Sequence, residues 1–503
     1  MTINIGEFLT KRALLSPKQE GLVCDDLRMT FEQMNRRANQ LAHAMQGLGI
    51  GPGDRVALFA LNEPEYYDLL FGLGKIGAIL VPVNYRLAAP EIVYILSDCG
   101  AKVLVFSKEY LEIVNSFRSQ LPSLKLIAIT DQPREWAESY PKLLDQESSR
   151  EPAITGGGDD VLSILYTSGT TGRPKGAMLT HNNYYCTSVS LHVTLGYTGE
   201  NFLIPLPLFH IGALGGVPMF IHLGQKSVLL RSFDPKRMLE LVQQEKITGF
   251  GTVPAMLMFL KLVPGFEKYE FSSVKIILVY AAPVPVALIK EYAAAGIEIR
   301  QLYGLTECTG PASVIDSEHA ISKAGSCGLP MFHSEIKLVD DRGKEVGPEE
   351  LGEVLLKSEN VMKGYWNRPE ETRSAIINGW LCTGDLAKKD RDGFLYILDR
   401  KKDMIISGGE NIYPAEIEDL LLHNPKLADA AVIGYPDPKW GEAVKAIVVV
   451  KPGESLSEQE LISWCQDKIG KYKIPKKVIF AASIPRTPTG KILKRELRVQ
   501  YNK

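Results

Sequence analysis

The sequence YTSGTTGRPKG, residues 166–176, is the most informative stretch of the chain. It follows an apolar run, residues 161–165, that predicts a buried strand. Its glycines permit tight turns and close approach of the backbone to a ligand. Its hydroxyl side chains, exposed backbone N–H groups and two cations suit a polyphosphate. Because Lys175 is followed by Gly176 rather than by serine or threonine, the stretch differs from the phosphate loop of kinases and GTPases.

Upstream of this stretch, short apolar runs alternate with helical patterns. A capping box at residues 30–33 begins the first well-marked helix, whose apolar residues recur at helical spacing as far as Leu48. Buried strands are predicted at 56–59, 79–83 and 103–106, with helices between them. Strand–helix–strand repetition implies parallel sheet with right-handed crossovers.

Downstream, a second series of strands indicates another βα layer beside the first. These strands are predicted at 161–166, 202–206, 226–230, 248–253, 274–280 and 297–302. After about residue 325 the pattern becomes β-rich, with a hairpin predicted at 336–343. We therefore predict an α/β fold. Its large N-terminal domain, residues 1–400, has two βα-layered subdomains and a β-rich subdomain, and a small α+β C-terminal domain covers residues 401–503.

Composition narrows the function classes. The 503 residues are 45% hydrophobic and 23% charged, with a net charge of −2, so no broad field for nucleic acid is expected. Seven cysteines without Cys-x-x-Cys spacing suggest neither disulfides nor zinc, and a cytoplasmic location fits. No signal-peptide core and no run long enough to span a bilayer is evident, so no integral membrane segment is expected. Oligomerisation and peripheral membrane contact stay open.

Residues 166–176 resemble, almost residue for residue, the phosphate-loop signature of the adenylate-forming superfamily. That superfamily includes acyl- and aryl-CoA synthetases, luciferases and nonribosomal peptide adenylation domains. Further motifs resemble the family's in the same order, so the match spans nearly the whole chain: YGLTE at 303–307, TGD at 383–385, DRKKD at 399–403, GGEN at 408–411 and PTGK at 488–491.

The resemblance implies an ATP-dependent acid–CoA ligase. In such an enzyme a carboxylate attacks the α-phosphorus of ATP, giving acyl-AMP and pyrophosphate, and the thiol of coenzyme A then takes the acyl group and releases AMP. ATP, Mg²⁺, coenzyme A and a carboxylic acid are therefore the expected partners. Because both reactants of the first step are anions, the site must neutralise charge and hold them in line.

The resemblance also implies which residues bind the nucleotide. Thr306 contacts the α-phosphate, and Glu307 binds Mg²⁺, a hard cation that prefers carboxylate oxygens. Asp385 accepts hydrogen bonds from the ribose hydroxyls, assisted by Arg400. Tyr303 stacks on adenine, beside Ala282 and Gly304. The β- and γ-phosphates are held by Thr167, Ser168, Gly169, Thr170, Thr171, Gly172 and Lys175.

Two chemical steps in one site imply a mobile C-terminal domain. By resemblance, Lys491 bridges the substrate carboxylate and the α-phosphate during adenylation. Rotation about Lys402 then carries Lys491 away. Gly408 and Gly409, with Trp440 nearby, come to line the path of the pantetheine arm, where glycines let a narrow chain pass close to the backbone.

The acid is expected to be hydrophobic. His210 is placed among the candidate catalytic residues, although a role in the pocket wall is favoured over acid–base catalysis. The rest of the wall is small or apolar: Val253, Ala281, Gly304 and Leu305. Residues 378–403 resemble the fatty-acyl-CoA synthetase signature, with Cys382 in place of a frequent histidine, which favours a medium- or long-chain fatty acid. An aromatic or alicyclic acid is the close alternative.

Other functions stay open at this point. A stand-alone adenylation enzyme that loads a carrier protein would use the same pantetheine path, and a luciferase-like oxygenase would lack the CoA step. A non-catalytic nucleotide-binding protein is disfavoured because Thr306, Glu307, Asp385 and Lys491 are all present.

Overall fold

A computed structural model describes residues 2–167, 174–196, 199–282, 284–401, 403–407, 410–438, 440–466, 468–469, 472–487 and 490–502. Its α-helices are α1 (Gly6–Leu15), α2 (Phe31–Gly47), α3 (Glu65–Lys75), α4 (Ala89–Cys99), α5 (Leu111–Phe117), α6 (Tyr140–Asp145), α7 (His181–Leu195), α8 (Ile211–Leu214), α9 (Val217–Leu223), α10 (Pro235–Gln244), α11 (Pro254–Lys261), α12 (Val286–Ala294), α13 (Pro369–Ala375), α14 (Pro414–Leu422), α15 (Glu458–Cys465) and α16 (Lys494–Tyr501).

Its strands are β1 (Glu20–Cys24), β2 (Leu27–Thr30), β3 (Arg55–Phe59), β4 (Ile79–Pro82), β5 (Val103–Ser107), β6 (Lys125–Ile129), β7 (Glu138–Ser139), β8 (Val161–Thr167), β9 (Lys175–Thr180), β10 (Asn201–Ile204), β11 (Lys226–Leu229), β12 (Gly249–Thr252), β13 (Ile276–Val279), β14 (Ile299–Leu305), β15 (Gly310–Val314), β16 (Leu329–Pro330), β17 (Ser334–Val339), β18 (Gly352–Ser358), β19 (Gly364–Tyr365), β20 (Ile376–Ile377), β21 (Trp380–Lys389), β22 (Leu395–Arg400), β23 (Ile405–Ser407), β24 (Glu410–Ile412), β25 (Leu427–Asp437), β26 (Gly441–Val450) and β27 (Lys477–Phe480).

Helix α2 begins where the sequence predicts it. Thr30 Oγ1 accepts a hydrogen bond from the Gln33 N–H at 3.3 Å, and Gln33 Oε1 accepts one from the Thr30 N–H at 2.8 Å. These bonds satisfy two of the donors that a helix start leaves unpaired. The apolar face that follows is buried against the neighbouring helices α1 and α3.

Two large sheets form the N-terminal part, as the two predicted βα layers require. The strand predicted at 161–166 as the start of the second layer lies instead, as β8, in the first sheet beside β4. Within the described residues, one sheet has the order β19-β9-β8-β4-β3-β5-β6-β7 and the other the order β16-β15-β14-β13-β12-β10-β11-β1-β2. Most neighbours in both sheets pair in parallel. The first sheet becomes antiparallel where β8 turns into β9, and the second where β14 turns into β15; β9–β19, β15–β16 and β1–β2 also pair antiparallel. The 166–176 stretch and the 303–307 motif lie at these two turns.

The β-rich subdomain and the C-terminal domain complete the fold. In the described residues a third sheet has the order β17-β18-β21-β20 with β22 on β21, and a fourth has the order β24-β23-β26-β25 with β27 on β26. The fourth sheet and helices α14 to α16 form the small α+β domain, which confirms the predicted fold class. The boundary between residues 400 and 401 stays a prediction.

The predicted hairpin at 336–343 forms as a short one, with Val339 opposite Glu345 in an antiparallel bridge. Strand β17 pairs with β18, from Ser334 opposite Ser358 to Val339 opposite Glu353. The turn itself forms, since the Gly343 N–H donates to the Asp340 carbonyl at 2.9 Å, but it opens a longer connection to β18. None of the described helices is both long and apolar enough to cross a membrane.

Candidate functional site

The phosphate stretch connects two antiparallel strands. Thr167 at the end of β8 lies opposite Lys175 at the start of β9, so the two predicted ligands that flank the loop are brought together. The predicted ligands between them, residues 168–172, lie outside the described residues. Lys175 Nζ lies 5.4 Å from the centre of the Tyr365 ring, a cation–π contact.

Helix α4, which carries no recognised motif, supports both ends of this loop. Asp98 on α4 accepts a hydrogen bond from Tyr166 Oη at 2.7 Å and pairs with Arg368 Nη2 at 2.6 Å. On the other side, Tyr94 Oη donates to the Pro174 carbonyl at 3.1 Å. Helix α4 thus holds the residue before the loop's polar part and the residue after it.

The ribose position forms where β14, β21 and β22 meet. Tyr303 Oη donates to Asp385 Oδ2 at 2.8 Å, and Asp385 lies opposite Arg400 in the antiparallel register. Arg400 Nε is 3.0 Å from Asp385 Oδ1, yet it lacks hydrogen-bond geometry and is buried without a hydrogen-bond partner in the described structure. A buried donor of this kind calls for an acceptor from a ligand.

Charge and burial raise the pKa values of Tyr303 and Arg400. Burial, followed by the neighbouring Asp385 charge, raises the pKa of Tyr303 well above its usual range. The Asp385 charge is the largest cause that raises the pKa of Arg400. The phenol therefore stays neutral and the guanidinium charged, so that Asp385 has one neutral donor and one cation beside it.

Glu307 lies in a single 3₁₀ turn, Thr306–Cys308, directly after β14. Tyr365 Oη donates to Glu307 Oε1 at 2.9 Å, and burial with the Glu307 charge raises the pKa of Tyr365. Tyr365 therefore joins the predicted metal ligand to Lys175. Sequence reasoning missed this tyrosine, because it lies in no recognised motif and meets Glu307 across 58 residues.

Together Tyr303, Glu307, Tyr365, Asp385 and Arg400 form what we call the nucleotide corner. No cluster of three or more His, Cys, Asp or Glu residues suited to a metal occurs in the described part of the chain. A single carboxylate such as Glu307 still fits Mg²⁺, because that ion is usually held by one or two carboxylates together with substrate phosphates and water.

The small residues predicted beside adenine have backbone reasons for their size. A Cβ on Gly304 would lie 1.8 Å from the Gly310 carbonyl oxygen, so no side chain fits there. Ala281 has φ of 72°, in the left-handed region that favours glycine. A glycine would adopt this conformation without strain at the start of the turn that Ala282 continues.

The residues predicted to line the acyl pocket are buried or partly buried. His210 caps α8, with its ring centroid 4.3 Å from that of Phe209. Burial lowers the pKa of His210 to about 3, so the ring is neutral at physiological pH. Its Nε2 is buried without a hydrogen-bond partner among the described residues. Val253 and Leu305 are buried and partly buried in the same core cluster.

The described residues of 486–492, which we call the Lys491 loop, reach the pocket wall. A Cβ placed on Gly490 would lie 3.5 Å from Val253 Cγ2. Within the loop, the Lys491 N–H donates to Thr487 Oγ1 at 3.0 Å and Arg486 Nη1 donates to the Gly490 carbonyl at 2.6 Å. The C-terminal domain thus places the loop that carries Lys491 against the N-terminal domain.

The predicted pantetheine path is described only in part. Lys402, Gly408 and Gly409 lie outside the described residues. Gly441, next to Trp440, pairs with Ser407 across β23 and β26, so the structure brings Trp440 beside the predicted path. Trp440 is 40% exposed, which leaves its ring accessible at this edge.

Comparison with known proteins gives matches along nearly the whole chain. The sequence model of the AMP-binding enzyme family matches residues 9–366, and that of the AMP-binding enzyme C-terminal domain matches residues 416–491. A long-chain-fatty-acid–CoA ligase, FadD13 of Mycobacterium tuberculosis, is 44% identical, with 99% of each chain covered. A feruloyl-CoA synthase of Amycolatopsis is 40% identical, again with 99% of each chain covered.

Among solved structures, o-succinylbenzoate CoA synthetase of Bacillus subtilis, in complex with ATP and a magnesium ion, has a TM-score of 0.88. It is 32% identical, and the match covers 98% of this chain and 99% of that chain.

Proposed function

The chain belongs to the AMP-binding enzyme family of adenylate-forming enzymes, and from this premise we propose that it is an ATP-dependent acid–CoA ligase acting on a fatty acid. The proposal is supported by the nucleotide corner together with the Lys491 loop. The corner offers a carboxylate, a cation and a neutral donor to a nucleotide, and the loop that carries Lys491 contacts Val253 of the predicted pocket wall.

In the first step, the substrate carboxylate attacks the α-phosphorus of ATP, and the bond to pyrophosphate breaks. We propose that Lys175 and the loop after Thr167 hold the leaving pyrophosphate and that Thr306 contacts the α-phosphate. Lys491 neutralises the charge that builds between the two anions. When bound at Glu307, Mg²⁺ supplies charge neutralisation at the phosphate oxygens.

Asp385 and Arg400 keep the ribose in place through both steps. Asp385 offers lone pairs to the ribose hydroxyls, and the buried Arg400 Nε gains an acceptor once the nucleotide is present. Tyr303, held by its bond to Asp385, presents its ring to adenine. Because the neutral His210 ring cannot act as an acid at physiological pH, we assign it to the acyl pocket wall.

In the second step, the thiol of coenzyme A attacks the acyl carbonyl of acyl-AMP, forms the thioester and releases AMP and a proton. We propose that rotation near Lys402 removes Lys491 and brings residues 408–409 and Trp440 to the pantetheine path. The edge position of Trp440 beside Ser407 supports this assignment. Seven cysteines without paired spacing support a cytoplasmic location, which is also part of the proposal.

The identity of the acid substrate is the most specific part of the proposal. Identity to a long-chain-fatty-acid–CoA ligase favours a fatty acid, while the feruloyl-CoA synthase keeps an aromatic acid as the alternative. The test is to incubate the protein with ATP, Mg²⁺, coenzyme A and a panel of acids from acetate to palmitate, with benzoate, ferulate and cyclohexanecarboxylate.

We expect AMP and acyl-CoA with fatty acids. Release of pyrophosphate with no acyl-CoA would instead support loading of a carrier protein. No pyrophosphate release with any acid would reject the ligase.

A further inference from the structure

Tyr280, the residue after β13, places its ring in a gap between helix α8 and strand β12. Its Oη donates a hydrogen bond to the Gly212 carbonyl oxygen at 2.6 Å. A Cβ on Gly251 would lie 2.3 Å from this Oη, and a Cβ on Gly212 would lie 2.8 Å from the Tyr280 Cε2 atom. The ring therefore touches both glycines so closely that neither position has room for a methyl group.

The two glycines have no backbone reason to be glycine. Neither Gly212 nor Gly251 has φ in the left-handed region. Gly212 lies within a helix and Gly251 within a strand, where glycine is less favourable than alanine. The Tyr280 ring accounts for both, because it fills the volume that two side chains would otherwise take.

The ring lies on the face of β12 that belongs to the reaction site. Side chains alternate along a strand, so Gly251 and Val253 point to the same face. Val253 contacts the Lys491 loop, with its Cγ2 atom 3.5 Å from a Cβ built on Gly490. On the opposite side of the Tyr280 ring, Gly212 lies two residues after His210 of the predicted pocket wall. Two predicted segments of the acyl pocket wall thus flank the Tyr280 ring.

We propose that Tyr280 closes the acyl pocket and restricts the enzyme to medium-chain acids. This inference rests on the proposed function. An acyl chain whose carboxylate lies at Lys491 and whose methylenes follow Val253 meets the Tyr280 ring. Because the hydroxyl group is engaged by the Gly212 carbonyl, the ring acts as an apolar stop and not as a donor to the substrate.

The test is the chain-length profile of Tyr280→Gly, measured as kcat/KM for saturated acids from butyrate to palmitate with ATP and coenzyme A. The wild-type enzyme should prefer octanoate to palmitate. The variant should raise the palmitate-to-octanoate ratio by about tenfold or more, since a single methylene that a pocket accepts or rejects is worth about 10- to 200-fold. Tyr280→Phe, which keeps the ring and loses only the hydroxyl, should leave the ratio within about twofold.

Other outcomes overturn the inference. A Tyr280→Gly profile like the wild type, equal use of octanoate and palmitate by the wild type, or a loss shared equally by all acids would each show that the ring does not limit chain length. Should Tyr280→Gly fail to fold, Tyr280→Leu keeps an apolar side chain and should still raise the ratio by about threefold. A wild-type enzyme that forms no acyl-CoA from any acid would overturn the proposed function as well.

Discussion

The nucleotide corner and the Lys491 loop are held together in opposite ways. The contacts of the corner join distant parts of the chain: Tyr303 with Asp385 across 82 residues, and Glu307 with Tyr365 across 58. The bonds of the Lys491 loop span four residues, from Arg486 to Gly490 and from Thr487 to Lys491.

The corner therefore exists only while the N-terminal sheets are packed. The loop keeps its shape within its own domain, where Arg486 also pairs with Asp429 at 2.5 Å. A unit of this kind can move as a rigid body without losing its internal bonds. From this difference we expect the nucleotide corner to serve both adenylation and thioester formation, and the Lys491 loop to serve adenylation alone.

The largest expected effect comes from Lys491→Ala. Adenylation, measured as pyrophosphate release, should fall by about 10²- to 10³-fold, the usual cost of removing one donor to developing charge. Thioester formation from pre-made acyl-AMP should change by less than about threefold, since the proposed rotation removes Lys491 before this step. The matched control is Lys451→Ala, an exposed lysine of the same domain, which should change neither step. Equal losses in both steps would refute the proposal that Lys491 serves adenylation alone.

Asp385→Asn should lower both steps, by about tenfold to a hundredfold each, because hydrogen bonds to charged groups contribute about 1.5–3 kcal/mol. The AMP part of the ligand is bound in both steps, and Arg400 loses its partner charge. Rates of pyrophosphate release and of thioester formation are to be compared with those of Asp392→Asn, an exposed carboxylate 68% accessible at its side chain. If only adenylation slows, the corner does not serve both steps.

Asp98→Asn tests, within the N-terminal domain, whether helix α4 positions the phosphate loop. It weakens the bonds to Tyr166 and Arg368 that support the phosphate loop, so the KM for ATP in pyrophosphate release should rise by about three- to tenfold. Thioester formation should stay unchanged, because pyrophosphate has left the loop. Asp131→Asn, at an exposed position, serves as the control. An unchanged KM for ATP would show that α4 does not position the loop.

Ala281→Gly should give the smallest effect, and on stability. With φ of 72° at this position, glycine relieves backbone strain, although it also gains freedom in the unfolded chain. We expect the free energy of unfolding to rise by about 0.5–1 kcal/mol in urea titration. Ala282→Gly, where φ is not positive, should lower it instead. A destabilised Ala281→Gly would mean that the strain is offset elsewhere.

Much of the architecture and of the reaction could be predicted from the sequence. Alternating apolar runs and helical patterns locate both parallel sheets, because burial imposes a period on each element. The capping box at Thr30 is a local signal and is confirmed by both of its hydrogen bonds. Contiguous motifs such as YGLTE name Thr306 and Glu307, whose roles stay predictions that the variants above test.

Asp98, Tyr365 and Tyr280 could not be found in this way. Asp98 meets Arg368 across 270 residues, and neither lies in a recognised motif. Tyr280 matters only because Gly212 and Gly251, on other elements, leave room for its ring.

The sequence by itself determined the order of the elements and the chemical groups available, since periodicity and short motifs are properties of neighbouring residues. Only the tertiary structure decided which groups meet: the contacts of α4 with Tyr166 and Pro174, the partner of Glu307 and the Tyr280 ring between Gly212 and Gly251. The physical reason is that such contacts depend on how separate sheets and helices pack, and close packing is fixed by the volumes of side chains far apart in the chain.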